Sequence, residues 1–175
     1  MAVTISGDTG ISAVQAGAVE SGDLAAGAIG SGDLPAGSVI QVAHKVTDFE
    51  VSFTNTSFFD TGFFISITPK SENSKILVTL SGGRIRLNGS SGSSDAHLII
   101  KRNATTAIDD SNNIMRVGTL DDDEIPISYA ALDEDHGTTN PITYDVFALS
   151  TDGSPVDLNN GGVHCFSITA MEIAG

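Results

Sequence analysis

Short runs with a two-residue hydrophobic period, each closed by turn chemistry, leave this chain little room for anything but β-structure. Phe63 to Thr68 places Phe63, Ile65 and Ile67 on one side of an extended backbone. Phe49-Glu50-Val51-Ser52-Phe53 alternates in the same way, and Lys75 to Leu80 aligns Ile76, Val78 and Leu80. Arg84 to Leu87 resumes the alternation after Gly82-Gly83, a pair expected at a bulge or bend. Further strands are expected near 95–101, 114–117, 125–132, 141–150 and 162–173. Thr61-Gly62, Asn88-Gly89, Asp152-Gly153 and Asn160-Gly161 supply turns, and Pro69 and Pro141 fall where strand edges or ends belong. No window supports a helix longer than about a turn. About eight to ten short strands predict an all-β, antiparallel two-sheet sandwich, jelly-roll-like, whose strand order the sequence leaves open. Its core is expected from Phe49, Val51, Phe53, Phe63, Ile65, Ile67, Ile76 and Val78.

The first 37 residues read differently. As far as Pro35 they hold no aromatic residue and no Lys or Arg, and they repeat with a period of ten. Ala16-Gly17-Ala18-Val19-Glu20-Ser21-Gly22-Asp23-Leu24-Ala25 is followed by Ala26-Gly27-Ala28-Ile29-Gly30-Ser31-Gly32-Asp33-Leu34-Pro35, and Ala36-Gly37-Ser38-Val39 begins a third copy. Val19, Leu24, Ile29 and Leu34 are the sizeable apolar side chains of these repeats. One such strip cannot offset a backbone ordering cost of about 1–2 kcal/mol per residue with a few aliphatics worth about 1.5–3 kcal/mol each. Three strips wound about one axis can, because each buries its apolar side against two others. The alternative is a Gly/Ala/Ser linker, and the register-kept aliphatics favour the stalk. The expected organisation is an extended repeat stalk, 1–37, and a β-sandwich knob, 38–175.

Charge narrows the partners. Eight basic against 22 acidic residues give a net charge of −14, which repels nucleic acid and disfavours anionic membranes. The apolar runs are too short to cross a bilayer, so membrane insertion is not expected. Only 17% of the residues are charged, and a chain that avoids charge often buries surface against copies of itself. Met1-Ala2-Val3-Thr4 has neither the basic nor the apolar region of a secretory signal, and the single Cys165 excludes an intrachain disulfide framework. These features fit a protein made in a bacterial cytoplasm.

The repeats leading into Gly37-Ser38-Val39-Ile40-Gln41-Val42 resemble fibre and tail-associated proteins common in marine and cyanobacterial phages. The resemblance continues through Phe59-Asp60-Thr61-Gly62, Ile65-Ser66-Ile67-Thr68-Pro69 and Ser74-Lys75-Ile76-Leu77-Val78. It extends to Leu132-Asp133, Thr143-Tyr144-Asp145-Val146 and Ile168-Thr169-Ala170-Met171-Glu172-Ile173, so it covers most of residues 37–174. It implies a homotrimeric β knob on a virion, assembled in the host cytoplasm and held to another virion protein by the N-terminal segment. Many such domains end long fibres. Here only about 35 residues precede the knob, so a short appendage on the head, neck or tail is expected. The competing function is a receptor-binding tip that recognises host surface glycan. Such a tip should expose aromatics on its loops, whereas most of the eight Phe and two Tyr alternate into strands.

Candidate chemistry is sparse. His44, His97, His136 and His164 lack the spacing of a zinc site, and His164 and Cys165 point to opposite faces if they share a strand. Cys165 is expected as a buried or interface thiol. Asp121-Asp122-Asp123-Glu124 and Asp133-Glu134-Asp135-His136 are read as a solvated acidic rim, because neither fits a calcium loop and no carboxylate pair stands out for glycoside hydrolysis. Asn88 to Asp95 is expected as an exposed connector. No catalytic residue, metal ligand or cofactor is expected; the chain reads as structural rather than enzymatic.

Overall fold

The computed structural model describes residues 30, 33–48, 50–88, 95–108, 115–118, 124–159 and 165–175. Among the described residues the strands are β1 (Val39–Thr47), β2 (Val51–Phe53), β3 (Phe59–Ile67), β4 (Lys75–Leu87), β5 (Asp95–Arg102), β6 (Thr106–Ala107), β7 (Met115–Gly118), β8 (Glu124–Asp133), β9 (Ile142–Ser150), β10 (Val156–Leu158) and β11 (Phe166–Ile173). Every ladder is antiparallel. In the first sheet β4 is central. It carries β8 on one edge and β11 followed by β10 on the other, with β1 outside β11 and β2 outside β10. The second sheet runs β3-β9-β5, with β6 and β7 sharing the far edge of β5.

The pairings nest. β1 pairs with β11, β3 with β9, β4 with β8 and β5 with β7. The chain is thus one long antiparallel ribbon that doubles back between β5 and β7. Successive strand pairs fall in alternate sheets, and the roll is closed by β4 against β11 and by β5 against β9. Both inner faces contribute to one core, including Phe63, Ile65, Val78, Leu80, Leu98, Val146 and Ile168, each buried. Of the core expected from sequence, Phe53, Phe63, Ile65, Ile67, Ile76 and Val78 are buried and Val51 is partly buried. Phe49 lies outside the described residues.

Lys75–Leu87 is one strand, and of the bulge or bend expected at Gly82-Gly83 the structure has the bulge. The bulge resets the side-chain phase. Ile76, Val78 and Leu80 face inward before it, and Ile85 and Leu87 face inward after it, an even-to-odd switch that a straight strand cannot make. Gly82 sits at φ +76, where a Cβ would come within 2.5 Å of the Cys165 carbonyl oxygen. That carbonyl accepts the Gly83 N–H at 2.8 Å.

One open side of the sandwich is closed by side chains. Gln41 Nε2 donates to the Thr68 carbonyl of the β3–β4 loop at 2.6 Å, and Lys45 Nζ donates to the Phe64 carbonyl of β3 at 3.1 Å. They tie the edge strand β1 to the opposite sheet.

Candidate functional site

At the end of the sandwich where the chain enters β1, one inward row runs Gln41–Glu172–Ile76–Asp133 across β1, β11, β4 and β8. The alternation that buries Ile76 therefore also buries two carboxylates, and each meets a different solution. Asp133 receives Arg102 Nη1 at 2.8 Å on both oxygens and the Tyr144 hydroxyl at 2.8 Å. Arg102 Nη1 also donates to the Asp135 carbonyl at 2.7 Å. Burial first, and the Asp133 carboxylate second, push the Tyr144 hydroxyl well above the ordinary tyrosine value. Asp133 thus departs from the solvated rim expected for its run: its place on β8 turns it toward the core, while Glu134 and Asp135 stay exposed.

Glu172, fully buried, is held by neutral donors. Oε1 accepts the Lys70 N–H at 2.7 Å, the Ser71 N–H at 3.2 Å and the Ser74 hydroxyl at 2.7 Å, and Oε2 accepts Gln41 Nε2 at 2.6 Å. Burial pushes this carboxyl up, but the Ser74, Gln41, Lys70 and Ser71 hydrogen bonds outweigh it and hold the group below the usual glutamate range. His136 Nε2 lies 3.2 Å from Ser74 Oγ, so Ser, His and Glu meet here. The arrangement is not that of an activated nucleophile. The carboxylate binds the serine rather than orienting the histidine, whose other nitrogen faces the Thr138 carbonyl at 3.0 Å, and Ser74 is only 1% exposed. The cluster fastens the β3–β4 loop and the residues after β8 to the last strand.

Beside Arg102 lies an open depression of ≈ 310 Å³, lined by Thr106, Ile108 and the Asp133–Asp135 run. Among the described residues no group of three or more His, Cys, Asp or Glu is placed to hold a metal ion. No helix among them is long and apolar enough to cross a membrane.

The outer face of the first sheet is of another kind. Its register aligns three rows across β1, β11, β4 and β8: Val42–Met171–Leu77–Leu132, His44–Thr169–Thr79–Ala130 and Val46–Ser167–Ser81–Ser128. None of these residues is Asp, Glu, Lys or Arg. Val42 is 57% exposed, Val46 52% and Leu132 37%. The face is bounded by the Lys75–Glu134 pair on one side and the Arg84–Glu124 pair on the other. The outer face of the second sheet, by contrast, carries the charges Asp60, Asp145 and Lys101 in its rows. Its aromatics are capped by ammonium groups, Phe64 by Lys45 at 4.5 Å and Phe147 by Lys101 at 4.2 Å.

Of the proposed stalk residues, only Leu34 is described. It is partly buried and lines, with Ile40 and Ala174, a depression of ≈ 260 Å³ at the end of the sandwich where the chain enters β1. Val19, Leu24 and Ile29 lie outside the described residues, as do Asp121 to Asp123, His164 and most of the Asn88–Asp95 segment. Cys165 is exposed, which overturns the buried alternative of the buried or interface thiol expected, because it precedes β11 rather than lying within it. The uncharged rows were missed from sequence, although a signal exists. Ile76-Leu77-Val78 and Ala130-Ala131-Leu132 are apolar at consecutive positions, so a strand there has no polar side to give to water.

No protein-family model matches this chain, and neither does any curated protein. Several solved structures resemble it. One is dimeric latent PorU from Porphyromonas gingivalis, at 11% identity and a TM-score of 0.38, over 80% of this chain and 14% of that one. Another is the VP2 subviral particle of infectious bursal disease virus, at 11% identity and 0.40, over 78% of this chain and 38% of that one. The chain thus spans well under half the length of either. A third is the CBM22-1 xylan-binding domain of Paenibacillus barcinonensis Xyn10C, at 9% identity and 0.34, over 81% of this chain and 99% of that domain.

Proposed function

We propose that this chain is a structural protein of a bacteriophage virion, a short homotrimeric fibre, spike or decoration. Its N-terminal segment anchors it to another protein of the head, neck or tail, and its knob projects. The observation that carries this reading is the patch of three uncharged rows across β1, β11, β4 and β8 on a chain of net charge −14. Copies of so acidic a chain repel one another in most orientations. A contiguous uncharged patch with exposed Val and Leu is where they can meet.

The nested ribbon supports the finer fold reading, a jelly roll, an architecture used by capsid and lectin domains. The repeats then serve as a threefold stalk with Val19, Leu24, Ile29 and Leu34 toward the axis. The base of the knob suits such a junction, since Gly37 N–H donates to the Ala174 carbonyl and Ala174 N–H to the Ser38 carbonyl, each at 2.8 Å. The incoming chain is therefore tied to the last residues of the knob. No catalytic role is assigned.

Antibody labelling of purified phage particles, with counting of the protein in the particle, tests the proposal. A fixed position on head, neck or tail, in copy numbers divisible by three, is the expected result. Particles that contain none of the protein would overturn it. Deleting the gene should give fragile particles that still adsorb; loss of adsorption with intact particles would favour the receptor-binding role instead.

A further inference from the structure

We infer that the outer face of β1, β11, β4 and β8 is the surface through which three copies of this chain close around a common axis. This rests on the homotrimeric reading above and names the surface that makes it.

Three observations converge. The first is charge. The three rows offer a second copy no charge to repel it, with the Lys75–Glu134 and Arg84–Glu124 pairs only at their margins, whereas the outer face of the second sheet presents Asp60 and Lys101. The second is the edge at β1. There the Gln41 and Lys45 side chains turn in toward the β3–β4 loop and β3, and an inward-pointing charged residue disfavours pairing of a further strand at that edge.

The third is dimension. Four strands spaced about 4.8 Å apart make a face roughly 19 Å wide. Three such faces arranged as the walls of a triangular prism stand about 5.5 Å from its axis. Packed sheets lie about 10 Å apart, so side chains on a sheet fill about 5 Å. Three copies of this four-stranded face therefore close with their side chains just meeting at the centre. The three rows, each taking up two residues of β11 at about 3.3 Å, give a projected area of roughly 380 Å² per copy. That is about half of the roughly 800 Å² that each partner brings to a stable interface, before side-chain relief is counted. Val42–Met171–Leu77–Leu132 supplies the apolar contact, and the Thr and Ser rows supply hydroxyls that pair with one another without charge.

The test uses the full chain. Its mass by light scattering at micromolar concentration should be three copies; a monomer or dimer would sink the trimeric reading itself. Val42→Asp with Leu132→Asp, both at exposed positions, should reduce the mass to one copy and leave the circular dichroism of the β-sandwich intact. Ser66→Asp, on the outer face of the second sheet, should leave three copies. If the unmodified chain is trimeric and the double variant remains so, the trimer forms elsewhere and this surface assignment fails alone. Hydroxyl-radical footprinting of the unmodified chain covers the case of a variant that does not fold. Val42, Leu77, Leu132 and Met171 should be protected at micromolar concentration and labelled on dilution. Labelling of these four at the same rates in the assembled protein as on dilution would overturn the inference.

Discussion

Glu172 shows how a single buried carboxylate can be kept ionised without a cation. Four neutral donors converge on it, two of them backbone N–H groups of the β3–β4 loop. Those part-buried amides gain an acceptor and the buried carboxylate gains donors, so the carboxylate and the loop satisfy each other. Glu172→Gln keeps the shape but loses charge on the acceptor and sets an amide N–H₂ against the Gln41 amide, which already donates to Thr68. The expected loss is about 1–3 kcal/mol at neutral pH. The pH dependence has a definite sign. An unfolded glutamate titrates near 4.5, and the folded carboxyl titrates lower. As pH falls the unfolded chain binds the proton first, so the contribution of this group is complete above about 4.5 and disappears as pH drops through the folded value. Denaturant midpoints of the two proteins should therefore differ at pH 7 and converge in acid. A gap that stays constant down to pH 3 would show that the charge of Glu172 is not what fastens the loop.

At the scale of elements, the β5–β6 turn shows where sequence reading stops. Thr105 N–H closes it on the Arg102 carbonyl at 3.1 Å, and its two central residues, Asn103 and Ala104, sit at φ +50 and +57. That conformation favours Asn-Gly, and Gly is absent here, so the turn escapes the Gly-based signals that mark Thr61-Gly62 and Asp152-Gly153. An alanine in the left-handed region costs about 1–2 kcal/mol. Ala104→Gly should therefore raise stability, by up to about 1 kcal/mol once the added freedom of the unfolded chain is counted, and a lowered thermal midpoint would contradict this account. Which residues face the core in β3 and in the first half of β4 was legible, because a half-buried strand must alternate. The continuity of β4 was not. A bulge and a bend both read as Gly82-Gly83, and the partner strand β8, which spans both halves, distinguishes them. The burial of Asp133 was hidden for a related reason: local composition marks Asp133 to Asp135 as solvated, while the side on which Asp133 points is set by register with β4. Arg102, its partner, lies 31 positions away, beyond any local pattern.

For the whole molecule, the sequence announced a chain rich in acid and poor in total charge, but not where the uncharged surface would gather. That surface exists only because the nested ribbon brings β1 and β11, the first and last strands of the sandwich, beside β4 and β8, from its middle. Its consequence for assembly can be read through salt. Each copy carries a net charge of −14, so bringing three together costs long-range repulsion, while the face that joins them has no ion pairs to lose. Raising the salt concentration from about 0.1 M to about 1 M shortens the Debye length from about 10 Å to about 3 Å. The repulsion between acidic bodies is then screened, and the contact between Val42, Leu77, Leu132 and Met171 is not weakened. Association of the full chain, followed by sedimentation across a dilution series, should tighten severalfold over that range. Interfaces built on ion pairs behave in the opposite way, because screening weakens the pairs themselves. Dissociation on adding salt would therefore move the interface away from the first sheet, to a surface where the Lys and Arg residues of one copy meet the carboxylates of the next.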